Sequence, residues 1–196
     1  GGNGTSTTFS GVASGTGGLT KAGSGTLTLD GSNTYTGSTT VSVGTLDVTG
    51  SLASSVIGVS DGATLKVDGS SLGDTTSAVT LTGTGDMTLA GNETIGSLAG
   101  AGTVTNGGYT LTTGGNGTST TFSGVASGTG GLTKAGSGTL TLDGSNTYTG
   151  STTILAGILE ISADSGIGNS SGGLILNGGT LAITDDISSS RTVSLG

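Results

Sequence analysis

Residues 1–40 recur without a substitution as residues 114–153, at an offset of 113. A verbatim repeat of that length narrows the folds open to a chain of 196 residues. In a closed barrel or a sandwich every strand has its own partner and its own place in the closure, so a second copy has nowhere to go. In a solenoid each turn touches only its neighbours, and a block can be repeated in register. Identity ends where Val41, Ser42 and Val43 face Ile154, Leu155 and Ala156, but the hydrophobic scheme continues, GTLDV (44–48) matching GILEI (157–161). If 113 residues make a whole number of turns, about five, the two copies lie on one side of the rod.

The finer pattern agrees. An apolar residue at every second position, closed by Gly, Asp or Asn, appears in TLTLDG (26–31), TLDVTG (45–50), TLKVDG (64–69), AVTLTG (78–83) and DMTLAG (86–91). It continues in YTLTTG (109–114), TLTLDG (139–144), LILNGG (174–179) and TLAITD (180–185). Period two buries one face and wets the other, which is a strand signal, and Thr and Val favour strands. No window shows the i, i+3, i+4, i+7 apolar face of a helix, so helix content should be close to nil. The expected inward rows include Leu27 and Leu29, Val41 and Val43, Leu46 and Val48, and Leu65 and Val67. Phe9 and Phe122 belong with them, while Tyr35 and Tyr148 anchor NTYTG loops. The fold expected is all-β: a single-stranded, right-handed parallel β-helix, because parallel crossovers are right-handed in about 98% of cases. At ~20–25 residues per rung it has roughly 8–9 rungs and forms one continuous unit over 1–196. At ~4.8 Å per rung it is on the order of 40 Å long.

Composition removes most chemistry. With 44 Gly the chain invites suspicion of disorder, but its mean hydropathy of +0.18 and the regular spacing of its aliphatic residues oppose that. Pro, Cys and His are absent. Collagen-like designs, disulfides, imidazole triads and the usual zinc sites go with them. Twelve acids against four bases, a net charge of -8, argue against nucleic acid and against an anionic membrane surface. No stretch is long enough to insert in a bilayer as a helix. The adjacent acids Asp185 and Asp186, with Arg191 nearby, follow TLAIT where a turn is expected. Neighbours on a strand point to opposite faces, so they form no catalytic pair.

GGNGTSTTF, at 1–9 and 114–122, approaches a calcium nonapeptide but has Ser6 and Ser119 where the Asp ligand should stand. GTGGLTKAG and GAGTVTNGG lack phosphate-loop spacing. Thr-x-Thr pairs at Thr26 and Thr28, Thr34 and Thr36, Thr103 and Thr105, and Thr110 and Thr112 suit an ordered-water face, yet they recur irregularly. Asn3, Asn92, Asn116 and Asn169 begin glycosylation sequons, which arise freely in this alphabet. The expectation is therefore no catalytic residue, no metal ligand, no cofactor and no enzyme activity.

GGLTKAGSGTLTLDGSNTYTGSTTVSVGTLDV (17–48) and its second copy (130–161) resemble the autotransporter-associated β-strand repeat of bacterial autotransporter passenger domains. Residues 92–131 look like the segment that commonly precedes that repeat, and 174–196 like the one that follows. The resemblance implies a right-handed parallel β-helix, extracellular or on a Gram-negative cell surface, exported as part of a longer chain with a signal peptide and a C-terminal outer-membrane barrel. The sequence starts at Gly1 in mid-pattern and reads as a piece of such a chain. The implied role is a structural shaft that supports adhesion, with partners that are either other copies of the chain or host surface glycans and proteins. A self-assembling filament, stacking end to end through open strand edges, is the alternative. A carbohydrate-active β-helix enzyme is a more distant one.

Overall fold

Segments such as TLTL and TLDV are too short to pair with themselves, and Gly, Asp or Asn stops each one. The chain turns a corner every few residues, and each strand finds its partner one turn away. The computed structural model describes residues 4–69, 71, 72 and 75–196 and shows a parallel β-solenoid with three faces. The first face stacks seven strands: Thr7–Phe9, Thr26–Leu29, Thr45–Val48, Thr64–Val67, Asp86–Leu89, Thr103–Thr105 and Val125–Ser127. The second stacks nine: Leu19–Lys21, Thr39–Val41, Val56–Val59, Ala78–Leu81, Ser97–Gly100, Thr120–Phe122, Thr139–Leu142, Ile158–Ile161 and Thr180–Ile183.

The third face begins with Ser32–Asn33 and Ser51–Leu52 and resumes with six strands, Glu93–Ile95, Leu111–Thr113, Leu132–Lys134, Thr152–Ile154, Leu174–Leu176 and Val193–Leu195. A loop separates the two parts. The Leu52 N–H donates to the Ser71 carbonyl at 2.8 Å, and the Ser71 N–H donates to the Glu93 carboxylate at 3.0 Å, so the stacking is carried across it.

Successive turns run from 17 residues (Asp86 opposite Thr103) to 22 (Thr103 opposite Val125), somewhat tighter than the 20–25 expected. Nine stacked strands agree with the expected rung number, and at ~4.8 Å per rung they span about 38 Å. The one helical element among the described residues is a 3-10 turn, Asp164–Ile167.

The core is a set of aliphatic rows running along the axis. Leu46, Leu65, Met87 and Val104 stand in one row of the first face, and Val48, Val67 and Leu89 in the next. Each fully buried side chain of this size contributes ~1.5–3 kcal/mol by leaving water. Three expected core positions differ. Val43 is 48% exposed, because the corner after Val41 breaks the two-residue alternation before Thr45 restarts it. Phe9 is 42% exposed because it lies in the first described turn, and Leu27, one turn further on beneath Thr7, is only half-buried because it lines an apolar cavity beside Phe9.

The duplicate copies do not lie on one side of the rod. In the first copy, Leu19–Lys21 is on the second face, Thr26–Leu29 on the first and Thr39–Val41 on the second again. In the second copy, Leu132–Lys134 is on the third face, Thr139–Leu142 on the second and Thr152–Ile154 on the third. From Leu19 the second face gains five further strands, ending with Thr120–Phe122, before the chain crosses the first face to reach Leu132. The offset of 113 residues is thus five turns and two-thirds, not five, and the second copy is rotated by one face.

Local pairing is nevertheless the same. Thr7 faces Leu27 and Phe9 faces Leu29; Thr120 faces Leu140 and Phe122 faces Leu142. Leu19 faces Thr39 and Lys21 faces Val41; Leu132 faces Thr152 and Lys134 faces Ile154.

Candidate functional site

The sequence LTKAGSGTLTLDGSNTYTGSTT carries four polar side chains that the strand pattern leaves unexplained, and the structure buries all of them. Lys21 is 1% exposed, and its Nζ donates to the carbonyls of Gly23 at 2.7 Å, Val43 at 2.9 Å and Ala22 at 3.5 Å. Lys134, fully buried, does the same for Ala135 at 2.6 Å, Gly136 at 2.9 Å and Ala156 at 3.3 Å. Each ammonium ties two successive turns together at a corner where the strand ladder has stopped, satisfying carbonyls that would otherwise be orphaned. Burial pulls the pKa of both lysines below its ordinary value. The turn below closes through Gly44 and Gly157, at φ 71° and 64°. A Cβ there would lie 2.5 Å from the Gly23 carbonyl oxygen and 2.4 Å from that of Gly136, so no other residue fits.

Asn33 and Asn146 bridge three turns each. The Asn33 side-chain oxygen accepts the Ala13 N–H at 3.0 Å, and its Nδ2 donates to Gly31 at 2.9 Å and Ser51 at 3.2 Å. Asn146 accepts from Ala126 at 2.7 Å and donates to Gly166 at 2.7 Å. The tyrosines of the NTYTG loops anchor those loops from inside. Tyr35 Oη lies 2.7 Å from Thr39 Oγ1, and Tyr148 Oη lies 2.6 Å from Thr152 Oγ1. Burial pushes the Tyr148 phenol up to about 12, against the opposing effects of the Thr152 hydrogen bond and the Arg191 charge.

Arg191 is no partner of Asp185 and Asp186, which are both exposed. It is 8% exposed and grips the far end of the rod. Its Nε and Nη2 donate to the two Asp164 carboxylate oxygens, each at 2.9 Å. Nη1 and Nη2 also donate to the carbonyls of Asp164, Ile167, Gly168, Asn169 and Gly172 at 3.0–3.2 Å. These hydrogen bonds hold the Asp164 carboxyl below the usual carboxylate range. Nothing in the spacing of Arg191 and Asp164 foretold the pair.

The remaining candidates resolve into architecture. Ser6 Oγ accepts the Thr26 N–H and Ser119 Oγ the Thr139 N–H, each at 3.1 Å, so the serine in place of a calcium-binding Asp joins two turns. Thr26 with Thr28 and Thr103 with Thr105 do share two outward ranks of the first face, but Asp47, Lys66 and Asp86 interrupt those ranks. Asp86 accepts from Thr88 at 2.6 Å and Thr103 at 2.7 Å, and Lys66 pairs with Asp47 at 3.0 Å. An unforeseen rank of Thr94, Thr112, Thr133 and Thr153 runs along four turns of the third face. Only the register shows it, because these residues are scattered in sequence.

Among the sequons, Asn92 and Asn169 are exposed, Asn116 is half-buried with its side chain bonded to Thr118 and Ser97, and Asn3 lies outside the described residues. Glu93, the one buried acid among the described residues, accepts from Ser71 N–H at 3.0 Å, Ser71 Oγ at 3.1 Å and Thr94 N–H at 3.1 Å. Burial raises its pKa in spite of those bonds. The described residues contain no group of three or more acids that could hold a metal ion, and no helix long and apolar enough to cross a membrane.

Comparison with known proteins follows the same two blocks. The passenger-associated-transport-repeat family matches residues 19–48 and again 132–161. The adhesin BmaC autotransporter of Brucella suis biovar 1 (strain 1330) is 41% identical over 206 residues, covering 98% of this chain and 6% of the relative. The chain thus spans about 6% of the length of that relative. No solved structure matches.

Proposed function

Because the chain belongs to an autotransporter passenger domain, a β-solenoid carrying two passenger-associated transport repeats, we propose that it is a shaft segment. In this reading it is a stiff spacer, extracellular or displayed at the bacterial surface, that supports adhesion by holding a binding region away from the cell. The observation that carries it is the destination of the polar side chains. Lys21, Lys134, Asn33, Asn146 and Arg191 are turned inward and joined to neighbouring turns, and Tyr35 and Tyr148 are turned inward onto Thr39 and Thr152 of their own turn. Side chains that a binding site or a reaction would present outward are used here to fasten rungs. The relative's description as an adhesin supports both the setting and a non-enzymatic role.

The test is a binding assay of the purified chain on cultured host cells and on a panel of immobilised surface glycans, beside small-angle scattering. A rigid rod that does not bind supports the shaft. Saturable, competable binding by this segment alone would replace it with the direct-adhesin reading.

A further inference from the structure

The two copies make the same contacts on different faces, and this bears on how the rod changes length. The lysine clamp, the asparagine bridge, the tyrosine–threonine pair and the strand register are all formed in the first copy and re-formed in the second, one face further round. Each of these contacts joins residues within one block or between a block and the next turn; none depends on which of the three faces it occupies. We infer that the 113-residue unit is a face-independent length step. The rod can gain a unit without losing phase, each addition turning the next copy by one face, so that three units make 17 whole turns and restore the starting orientation. This holds whatever the segment's role at the cell surface.

The sequence permits a clean test. Inserting a second copy of residues 41–153 after Thr153 gives Thr153 followed by Val41, and later Thr153 followed by Ile154. Both junctions already exist in the native chain, since residues 1–40 and 114–153 are identical. The insertion also moves the segment 41–113, present once in the native chain, onto faces it has never occupied. The expected product is a rod longer by 5⅔ turns, about 27 Å at ~4.8 Å per turn. It should unfold in a single transition at or above the parent's midpoint, because longer solenoids gain interfaces.

A control inserts residues 51–153 at the same site, which removes a corner and a strand from the junction. The inference requires the first insertion to lengthen the rod by the full step, by small-angle scattering and electron microscopy, with strand content per residue unchanged. It also requires the control to fall short or show a second, lower transition. An unchanged rod length in the first variant, with the extra residues looped out, overturns it. Equal lengthening in both variants also overturns it, since register would then be irrelevant.

Discussion

The first and second copies are an internal experiment: one sequence, two surroundings. Phe9 is 42% exposed and Phe122 is fully buried; Leu19 and Leu27 are half-buried where Leu132 and Leu140 are not. Yet Lys21 and Lys134 are equally buried and equally bonded. Apolar burial in this fold is conferred by the turns above, two of them for Leu140 against one for Leu27, while the polar fastenings are set by the block and the turn below. The hydrophobic term is collective along the axis, and the hydrogen-bonded term is local.

That division can be broken most sharply at the phenylalanines. Phe122→Ala should cost ~3–5 kcal/mol, as for a fully buried aromatic, and Phe9→Ala only ~1 kcal/mol. Urea unfolding followed by circular dichroism reads both, and equal losses would show that the surroundings of the copies do not differ as described. Next come the lysines, where the copies should agree. Lys21→Ala and Lys134→Ala each orphan three corner carbonyls and should each cost ~2–3 kcal/mol. A gap of more than ~1 kcal/mol between them would mean that the clamp also depends on the turn above.

Tyr148→Phe removes one buried hydrogen bond and should cost ~1 kcal/mol, with Tyr35→Phe close to it. The phenol also carries a pH signature. Its folded pKa of about 12 lies above the ordinary 10.0, so its contribution is complete below pH 10 and is lost as pH rises toward 12. A thermal melt series from pH 9 to 11.5 should show a steeper loss in the parent than in Tyr148→Phe. The smallest effect is that of Glu93. Its raised pKa means that the folded chain holds the proton more tightly, so stability grows as pH falls through the raised value and is complete below the ordinary 4.5. Asp164, held low by Arg191, has the opposite sign, its contribution being lost only as pH falls below 3.8. Lowering the pH from 7 to 4.5 should therefore raise the melting midpoint of the parent relative to that of Glu93→Gln.

The alternation of TLTL and TLDV was enough to read strands and most of their inward rows, because a period of two fixes which side chains share a face, and the verbatim repeat then chose the solenoid over a barrel or a sandwich. It failed at Val43, where a corner inserts residues that belong to neither face. It could not show which face a copy occupies, because turns of 17 to 22 residues accumulate a phase that no single segment records. Nor did it reveal Lys21, Lys134 or Arg191 as interior residues. A charged side chain reads as solvated unless its carbonyl partners are known, and here those partners are gathered by a corner and the turn next to it or, for Arg191, from residues 19 to 27 positions away. The Thr94–Thr153 rank was hidden for the same reason, its members being neighbours only across turns.

The inward basic residues have one more consequence. The chain has four Lys and Arg in all, and three of them, Lys21, Lys134 and Arg191, are buried. The fourth, Lys66, sits in the middle of the strand Thr64–Val67 and is paired with Asp47. A trypsin-like protease must take a basic side chain into its specificity pocket and hold the flanking backbone extended and unpaired. The folded rod offers it no such site, so cleavage has to wait for a turn to open, and the lifetime of the rod among such proteases is set by how rarely its rungs part.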